Sequence, residues 1–469
     1  MMAFGLPVVL VLASTQLSAG GGPPSPPQAP SFDTTGLSAY VGSFVGRGRL
    51  PSVAVTVVGR DGSLYQAGFG RMADSGEPVT AAARFPAGAL AGAVTTLAIL
   101  QLADSGRIAL DERVTLYLPD LAFRSAERAR RLTVRHIMMH TSGLSAMSAF
   151  NRRVRLERRL DHIDLSHEAG TRQQISPVND MILEAVIESV TGQGYADWVA
   201  EHVFAPLGMR STTAHGMAVV VAAEVAAVVA DAPRGYRYVF GLPVPTRNSG
   251  ALRGPAATTM LVSSAEDIGR FLSLFLNGGR LGDREILSAD GVAVMLETPS
   301  LARSEGRAGF HAVLAVLPDE GYGVVVLANR SGGPLMSAPD ALMEGILARL
   351  SGRESAPYMP WERLLHVGLL IVVGVTGLLA LHWRRRWRAL GGPRAMAHTA
   401  PIISRFVLDL TLAAAMPLIF LLGVVQMPIQ AVLSAHPDWG LATILFPTLL
   451  VPTAVWRSLV HSEEWRIHG

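Results

Sequence analysis

A histidine close to a serine is the first arrangement in the sequence that suggests chemistry. His140 stands two positions before Ser142, and an imidazole can act as general base for a neighbouring hydroxyl. His136 lies four residues before His140, so on a helix the two rings would share one face and could ligate a metal, with His162 and His167 downstream. No acidic residue completes a His-Glu-x-x-His pattern, and we therefore predict neither a metal site nor a cofactor.

Two residue types are absent from the sequence, and each absence excludes a class of mechanism. The chain has no cysteine, which rules out disulfides, thiolate nucleophiles and iron–sulfur clusters. It also has no lysine, so all 40 Lys+Arg residues are arginine. A guanidinium keeps its proton near neutral pH, so Schiff-base chemistry and a lysine base are excluded. The chain also has no Gly-x-Ser-x-Gly nucleophile elbow.

The hydropathy of the C-terminal part predicts membrane attachment. The 469-residue chain is 49% hydrophobic and only 16% charged, which is too apolar for a purely soluble enzyme. We predict membrane helices at 364–382, 402–425 and 439–457, each with an apolar run long enough to cross a bilayer. The Arg-rich loop 383–401 is assigned to the cytoplasm by the positive-inside rule. The preceding domain is then extracytoplasmic, and the tail 458–469 is cytoplasmic.

The rest of the chain divides by composition. A short apolar run followed by small residues makes 1–19 resemble a secretory signal peptide. We interpret 20–32 as a Gly/Pro-rich linker, 33–352 as the extracytoplasmic globular domain, 353–363 as a second linker and 426–438 as an outer loop. The formal net charge of +3 does not indicate a nucleic-acid-binding surface. We therefore expect a multi-pass membrane protein whose first partner is the lipid bilayer.

The elements that would position the candidate residues are strands at both ends of the domain with helices between them. A β-branched run at 53–58, a Gly-Arg-Asp-Gly turn and an alternating run at 63–69 predict a hairpin. Runs at 311–317 and 321–328 also have strand character. Helical periodicity occurs at 93–102, 181–190 and 265–276. This order predicts a mixed α/β domain whose sheet is completed by distant segments.

Seven segments, in order, resemble the β-lactamase-related serine hydrolases, a family of class C β-lactamases, D-specific peptidases and esterases. The segments are 85–102, 106–111, 117–121, 134–136, 140–144, 206–209 and 263–267. The resemblance implies a serine β-lactamase/transpeptidase-like fold, with a mainly antiparallel sheet flanked by helices and a helical subdomain. With the three membrane helices, the architecture further resembles periplasmic peptidases that activate prodrugs of the colibactin type.

The resemblance also implies catalytic positions, and this sequence departs from the family at each of them. The serine and lysine of the family's Ser-x-x-Lys dyad fall on Ala89 and Gly92, and the tyrosine and asparagine of its Tyr-x-Asn motif on Ile175 and Pro177. The first residue of the third motif falls on Arg303. A methyl group cannot attack a carbonyl, and glycine has no side chain to act as base. The connection before Arg303 is shorter than in the family, which predicts the loss of a strand bordering the cleft.

Three polar residues remain as candidates for relocated chemistry: His140, Ser142 and Ser176, the last in the middle of the second motif. The His-Thr-Ser-Gly segment resembles a structural turn of the family, and Ser176 is interpreted as a core hydroxyl. We therefore predict a membrane-anchored, catalytically inactive homologue that binds a peptide, a cell-envelope fragment or a protein. The first alternative is a hydrolase acting on N-acyl-D-amino-acid or cell-wall-type substrates through a relocated Ser/His site. The second is a membrane-assembly component with a passive outer domain.

Overall fold

The computed structural model describes most of the chain between residues 33 and 353. The described residues are 33–72, 75–121, 123, 126–144, 165–215, 232–239, 242–246, 260–301, 304–307, 309–330 and 337–353, with the single positions 371, 374, 378 and 385.

The helices form a lobe of their own and also cover the sheet. They are α1 (Thr34–Gly46), α2 (Gly88–Asp104), α3 (Val114–Tyr117), α4 (Ala126–Ala129), α5 (Val134–Met138), α6 (Pro177–Thr191), α7 (Tyr195–Val199), a π-helix (Ala200–Phe204), α8 (Ala205–Leu207), α9 (Ala265–Leu276), α10 (Ala289–Glu297) and α11 (Ala338–Leu350).

The strands come from the two ends and the middle of the domain. They are β1 (Ser52–Gly59), β2 (Gly62–Gly70), β3 (Arg84–Pro86), β4 (Thr213–His215), β5 (Tyr236–Val239), β6 (Leu242–Pro245), β7 (Met260–Ser264), β8 (Arg280–Leu281), β9 (Arg284–Glu285), β10 (Ser304–Arg307), β11 (Phe310–Leu317) and β12 (Tyr322–Ala328).

One five-stranded antiparallel sheet joins the two ends of the domain. Its strand order is β10-β11-β12-β1-β2. Val53 of β1 lies opposite Ala328 of β12 on one side and opposite Phe69 of β2 on the other. The predicted hairpin and the two predicted late strands are therefore confirmed, and distant segments do complete the sheet.

Both faces of the central strand β1 are buried, each against a different layer. Val53, Val55 and Val57 belong to an apolar cluster with residues of α1 and α11. Ala54 and Val58 belong to a larger cluster that contains residues of α2, α6 and α9. A strand covered on both faces is apolar throughout, without the alternation of a half-exposed strand. This explains why 53–58 is apolar at every position but Thr56.

Helix α9 lies directly on the sheet. Its first turn is capped by Ser264, whose hydroxyl accepts a hydrogen bond from the backbone N–H of Asp267 at 3.1 Å. At Gly269 a Cβ atom would lie 2.6 Å from the methyl carbon of Thr56 in β1. Only glycine permits this close approach of helix and strand. The bounds of α9 match the predicted helix 265–276.

Helices α2 and α6 begin earlier than their apolar periodicity predicts. The residues added at the start of α2 include Gly88, Ala89 and Gly92, which give little hydropathy signal because they carry at most a methyl group. Helix α6 begins at Pro177, directly after Ser176. Proline is favoured at the first helical position because its missing N–H is not needed there.

The predicted loss of a strand from the shortened connection before Arg303 stays a prediction, and the described residues 298–301 form no strand. Residues 304–307 form β10, which pairs with β11 so that Arg307 lies opposite Phe310. Strand β10 is the edge strand of the five-stranded sheet and packs near α2. Strand β10 follows this connection and supplies four residues of edge strand.

The predicted terminal segments fall almost entirely outside the described residues. This holds for the signal peptide 1–19, the linker 20–32 and the membrane helices 402–425 and 439–457. Of the predicted helix 364–382, the structure describes Ile371, Gly374 and Leu378, all in helical conformation. Among the residues that the structure describes, no helix has the length and apolar character needed to span a bilayer.

Candidate functional site

The start of α2 carries two of the sequence-predicted site residues. Strand β3 leads into the helix and pairs with β7, where Phe85 lies opposite Ser263. Ala87 precedes the helix, and its backbone N–H donates to the carbonyl of Leu261 at 2.8 Å. This small sheet fixes the entry into α2 and so the position of Ala89 in its first turn. No side chain caps this end of the helix, and its first turn has no acidic residue.

The next turns of α2 carry hydroxyl groups that are already engaged. Gly92 is buried, and its carbonyl accepts a hydrogen bond from the Thr96 hydroxyl at 2.8 Å. Thr96 also lies 3.1 Å from the hydroxyl of Ser300. The Thr95 hydroxyl donates to the carbonyl of Ala91 at 3.0 Å. These hydroxyls are held by backbone and side-chain partners, as expected of Ser and Thr inside a helix.

The residues of the second motif lie at the start of α6, which packs against α2. Ile175 is 42% exposed, so an apolar side chain faces solvent just before the helix. Ser176 is fully buried, and its hydroxyl accepts a hydrogen bond from the backbone N–H of Val178 at 3.3 Å. Pro177 occupies the first helical turn. Ser176 is thus the N-cap residue of α6, which agrees with its interpretation as a core hydroxyl.

His140 lies in a strained turn after α5. The helix ends at Met138, and His140 has a φ of 54°, the only positive φ of a non-glycine residue within the described ranges. Such a conformation costs free energy and persists where surrounding contacts hold it. The side chain of His140 is 2% exposed, and these contacts come from α6.

Asn179 of α6 connects the three residues proposed for relocated chemistry. The Ser142 hydroxyl donates to Asn179 Oδ1 at 2.6 Å, and Asn179 Nδ2 lies 2.8 Å from His140 Nδ1. The backbone N–H of Ser176 also points at His140 Nδ1, at 3.2 Å. His140, Ser142 and Ser176 are therefore brought together, around a buried amide that sequence reasoning did not single out.

The hydrogen bonds of this cluster fix the tautomer of His140. A backbone N–H can only donate, so Nδ1 must present its lone pair to Ser176, and the ring proton of the neutral imidazole lies on Nε2. Nε2 is 3.7 Å from Asp180 Oδ1. The lone pair needed for a general base is thus engaged with N–H donors. Ser142 is fully buried and its proton is directed to Asn179, so this geometry holds the turn against α6.

A buried tyrosine at the start of α7 is hydrogen-bonded to both α2 and α6. The Tyr195 hydroxyl lies 2.8 Å from the Thr95 hydroxyl, and both residues are fully buried. Burial raises the pKa of the Tyr195 phenol well above its ordinary value, and the charges of Glu184 and Asp180 raise it further, against the effect of the Thr95 hydrogen bond. The phenol is therefore neutral in the folded protein at physiological pH.

The histidines do not form a metal site in the described part of the chain. His136 lies in α5, and its Nδ1 is 3.1 Å from the Thr133 hydroxyl in a capping box. His140 lies beyond the end of that helix, so the two rings do not have the i, i+4 helical relation that metal binding required. His162 lies outside the described residues, and His167 is hydrogen-bonded to the Glu168 carbonyl at 3.1 Å. No group of three or more potential ligands occurs among the described residues.

The third motif lies at the sheet edge. Arg303 is outside the described residues, while Ser304 and Glu305, which follow it, are the first two residues of β10. Because β10 and α6 both pack against α2, the three motif-bearing segments meet around one helix.

The residues that sequence reasoning missed are polar residues inside an apolar helix. Asn179, Asp180 and Glu184 are all buried, although such side chains are rarely buried without a partner. Polar residues within the otherwise apolar pattern of α6 are the sequence signal that could have identified them. For Asn179 and Asp180 the contact is His140, which lies 39 and 40 positions upstream.

The fold and the site together define a class of protein. It comprises α/β domains in which a helix begins at a small sheet and packs between a five-stranded antiparallel sheet and a helical lobe. The chain belongs to the beta-lactamase family, because the family model described as Beta-lactamase matches residues 37–346.

Curated relatives share part of this domain. Esterase EstB of Burkholderia gladioli is 32% identical over 209 residues, which cover 39% of this chain and 53% of the esterase. Penicillin-binding protein 4 of Amycolatopsis lactamdurans is 28% identical over 170 residues, 35% of this chain and 44% of the relative. Protein flp of Staphylococcus aureus (strain MW2) is 26% identical over 176 residues, 36% of this chain and 35% of the relative. The matches thus span about a third to half of these relatives.

Solved structures share the fold. The octameric penicillin-binding protein homologue from Pyrococcus abyssi is 20% identical with a TM-score of 0.55, covering 71% of this chain and 81% of that chain. The D-amino acid amidase from Ochrobactrum anthropi SV3, complexed with L-phenylalanine, is 18% identical with a TM-score of 0.53, covering 67% and 96%. At this level of identity the similarity shows the fold alone, and it confirms the β-lactamase-like α/β fold predicted for the globular domain.

Proposed function

We propose that this chain is a membrane-anchored member of the beta-lactamase family that binds its ligand without hydrolysing it. The observation that carries the proposal is the start of α2, where Ala89 and Gly92 stand at the positions that the family resemblance assigns to the nucleophile and its base. A serine hydrolase needs a hydroxyl activated by a neighbouring base. Neither group is available at these positions, and the chain has no lysine to replace the base.

The polar cluster at α6 supports the same proposal. The Ser142 hydroxyl donates to Asn179 at 2.6 Å, inside the protein. His140 Nδ1 faces the backbone N–H of Ser176 at 3.2 Å. A nucleophile must reach its substrate, and a general base must have a free lone pair. The side chains of His140 and Ser142 instead make hydrogen bonds that hold a strained turn.

The proposed setting is the cell membrane. The apolar runs at 364–382, 402–425 and 439–457 support a three-helix anchor, and the Arg-rich loop 383–401 supports an extracytoplasmic position of the β-lactamase-like domain. The proposed partners are the lipid bilayer and a peptide, a cell-envelope fragment or a protein. Extraction of membranes with alkaline carbonate should leave the chain in the pellet. Protease added outside spheroplasts should digest the domain, and protection of the domain would contradict the orientation.

A second candidate function is hydrolysis of N-acyl-D-amino-acid or cell-wall-type substrates through a relocated site. It is favoured by the proximity of His140, Ser142 and Ser176 around Asn179, and by relatives that include an esterase and a structural neighbour named as an amidase. It would require the Asn179 contacts to break, so that Ser142 or Ser176 could reach a substrate.

Covalent labelling separates the two candidates. The purified full chain in detergent is exposed to a β-lactam, a fluorophosphonate and N-acyl-D-amino-acid esters, and its intact mass is measured. We expect no adduct, while an active family member treated alongside is labelled. A stable mass increase that disappears in Ser142→Ala or in Ser176→Ala would refute the inactive assignment and identify the nucleophile.

A further inference from the structure

A cavity lies at the far end of α2 from Ala89. Its volume is about 660 Å³, within the range of small-molecule sites. The last turn of α2 forms one wall, where Asp104 is roughly 22 Å along the helix axis from Ala89. The other walls come from the helical stretch between Trp198 and Pro206 and from the segment that begins at Arg284. This cavity is therefore separate from the start of α2, and a ligand could occupy it whether or not the proposed function is correct.

One wall of the cavity is π-helical. Residues Ala200–Phe204 form the π-helix between α7 and α8, and Glu201 and His202 of this turn line the cavity. Single π-helical turns are rare and occur frequently at functional sites. Both of these consecutive residues therefore face the same cavity from the π-helical turn.

The ring of His202 is held in one orientation and one tautomer. It stacks on the Trp198 ring with centroids 4.4 Å apart and an interplanar angle of 8°. His202 Nδ1 lies 3.0 Å from the Trp198 carbonyl oxygen, which can only accept, so Nδ1 carries the proton. Nε2 therefore presents a lone pair, and a ligand N–H group can donate to it.

Hydrogen bonds join the three walls to one another. Gln101 Nε2 donates to the carbonyl of His202 at 3.3 Å and to the carbonyl of Ile286 at 3.1 Å. The Asp104 carboxylate accepts from both the backbone N–H and the hydroxyl of Ser288, each at 2.7 Å. The cavity is thus formed in advance, which lowers the entropic cost of binding.

Two charged side chains on the cavity wall have no hydrogen bond or salt bridge among the described residues, and their charges have opposite signs. Glu285 pairs with Arg280 at 3.0 Å, and Asp104 is engaged with Ser288. The Arg107 guanidinium donates to the Val190 carbonyl at 2.6 Å. Glu201 and Arg284 line the cavity and are exposed, and neither side chain has a hydrogen bond or salt bridge within the described part of the chain. A carboxylate and a guanidinium without protein partners are complementary to a ligand that carries both an ammonium and a carboxylate.

We propose that this cavity binds a zwitterionic amino acid or short peptide. The ligand's ammonium group donates to the Glu201 carboxylate and to His202 Nε2. Its carboxylate accepts hydrogen bonds from the Arg284 guanidinium. The uncharged middle of the ligand lies in the cavity between these two ends.

Calorimetric titration of the purified full chain with alanyl-alanine, N-acetyl-alanyl-alanine and alanyl-alanine amide tests the proposal. We expect the free dipeptide to bind, and each blocked derivative to bind about tenfold more weakly because it lacks one charge. Glu201→Gln and Arg284→Gln should each weaken binding of the free dipeptide by about the same factor. Asp197→Asn and Arg210→Gln change exposed charges outside the cavity and should leave binding unchanged.

Three results would overturn the proposal. The first is the absence of heat for all three dipeptides at millimolar concentration, with an intact melting transition. The second is equal affinity for the free and blocked dipeptides, which would exclude recognition of both charges. The third is unchanged affinity in Glu201→Gln and Arg284→Gln, which would locate the ligand elsewhere on the protein.

Discussion

Helices α2 and α6 pack against each other, but their first turns differ in their chemistry. Helix α2 begins without a side-chain cap and carries Ala89 and Gly92 in its first turns. Helix α6 begins with the cap residue Ser176, and Asn179 follows in its first turn. Asn179 binds the turn that contains His140 and Ser142. Polar side chains are thus present at the start of α6, where they join two segments, and are missing from the start of α2.

This difference separates two reasons for keeping a polar residue. A polar group that joins buried segments adds to stability once it is fully hydrogen-bonded, and it is costly to remove one partner. A reactive group in a cleft is held partly desolvated, often at a cost to stability. The start of α6 has the first kind of group, whereas the start of α2 has neither kind. The comparison predicts that substitutions at the two sites act in different ways.

The largest effect is expected for Asn179→Leu. The substitution removes the acceptor of the Ser142 hydroxyl and one donor to His140 Nδ1, both in the protein interior. The buried Ser142 hydroxyl loses its acceptor, and His140 Nδ1 keeps only the Ser176 N–H donor. This should lower the free energy of unfolding by about 3 kcal/mol, measured by denaturant or thermal unfolding of the full chain. Ser189→Ala is the matched control on the same helix.

The control breaks an exposed hydrogen bond, from the Ser189 hydroxyl to the carbonyl of Tyr117 at 2.7 Å. Its effect should stay below about 1 kcal/mol. If Asn179→Leu and Ser189→Ala melt at the same temperature, the amide does not hold the His140 turn. The contrast between the two helix starts would then be one of sequence only.

The sequence predicted the sheet better than it predicted this cluster, for a physical reason. The hairpin of β1 and β2 and the helix α9 are encoded by local periodicity, so their residues could be recognised without knowing their neighbours. The Asn179 cluster depends on pairs of residues 37 and 39 positions apart. Such pairs become neighbours only through the packing of α5 on α6. His140 and Ser142 could thus be identified as candidates, while their partner could not.

A smaller effect is expected when the dyad is put back at the start of α2. Gly92 is buried, so a lysine there would lose hydration without the tyrosine and asparagine that accompany it in the family motif. We expect Ala89→Ser with Gly92→Lys to lower the free energy of unfolding by about 2 kcal/mol, seen as a lower melting temperature. Ala89→Ser with Gly92→Met is the control, because methionine has a similar length and no charge.

The effect of the lysine charge on stability is the difference in melting temperature between these two double variants. If the lysine variant melts above the parent, the idea that the uncharged start of α2 favours stability is wrong. If the lysine and methionine variants melt together, side-chain volume and not charge determines the result.

The smallest effect is expected at Tyr195, where pH provides the readout. Burial raises the pKa of the folded Tyr195 above its ordinary value. The neutral phenol therefore contributes stability that is fully present below the unfolded-state pKa of about 10 and is lost as the pH rises through the folded value. Tyr195→Phe should cost about 1 kcal/mol at neutral pH through loss of the Thr95 hydrogen bond. Its stability should then fall less than that of the parent above about pH 10.

Thr95→Val is the control that separates the two contributions of Tyr195. It removes the same hydrogen bond but keeps the phenol in its buried position. At neutral pH Thr95→Val should cost more than Tyr195→Phe, because it leaves the buried phenol without this partner, whereas the Thr95 hydroxyl still donates to the Ala91 carbonyl in Tyr195→Phe. Above about pH 10, Thr95→Val should lose stability as the parent does, because its tyrosine still has to ionise on unfolding. If Tyr195→Phe falls as steeply as Thr95→Val, the alkaline loss comes from other groups, such as Tyr40 and Tyr65, whose pKa burial also raises.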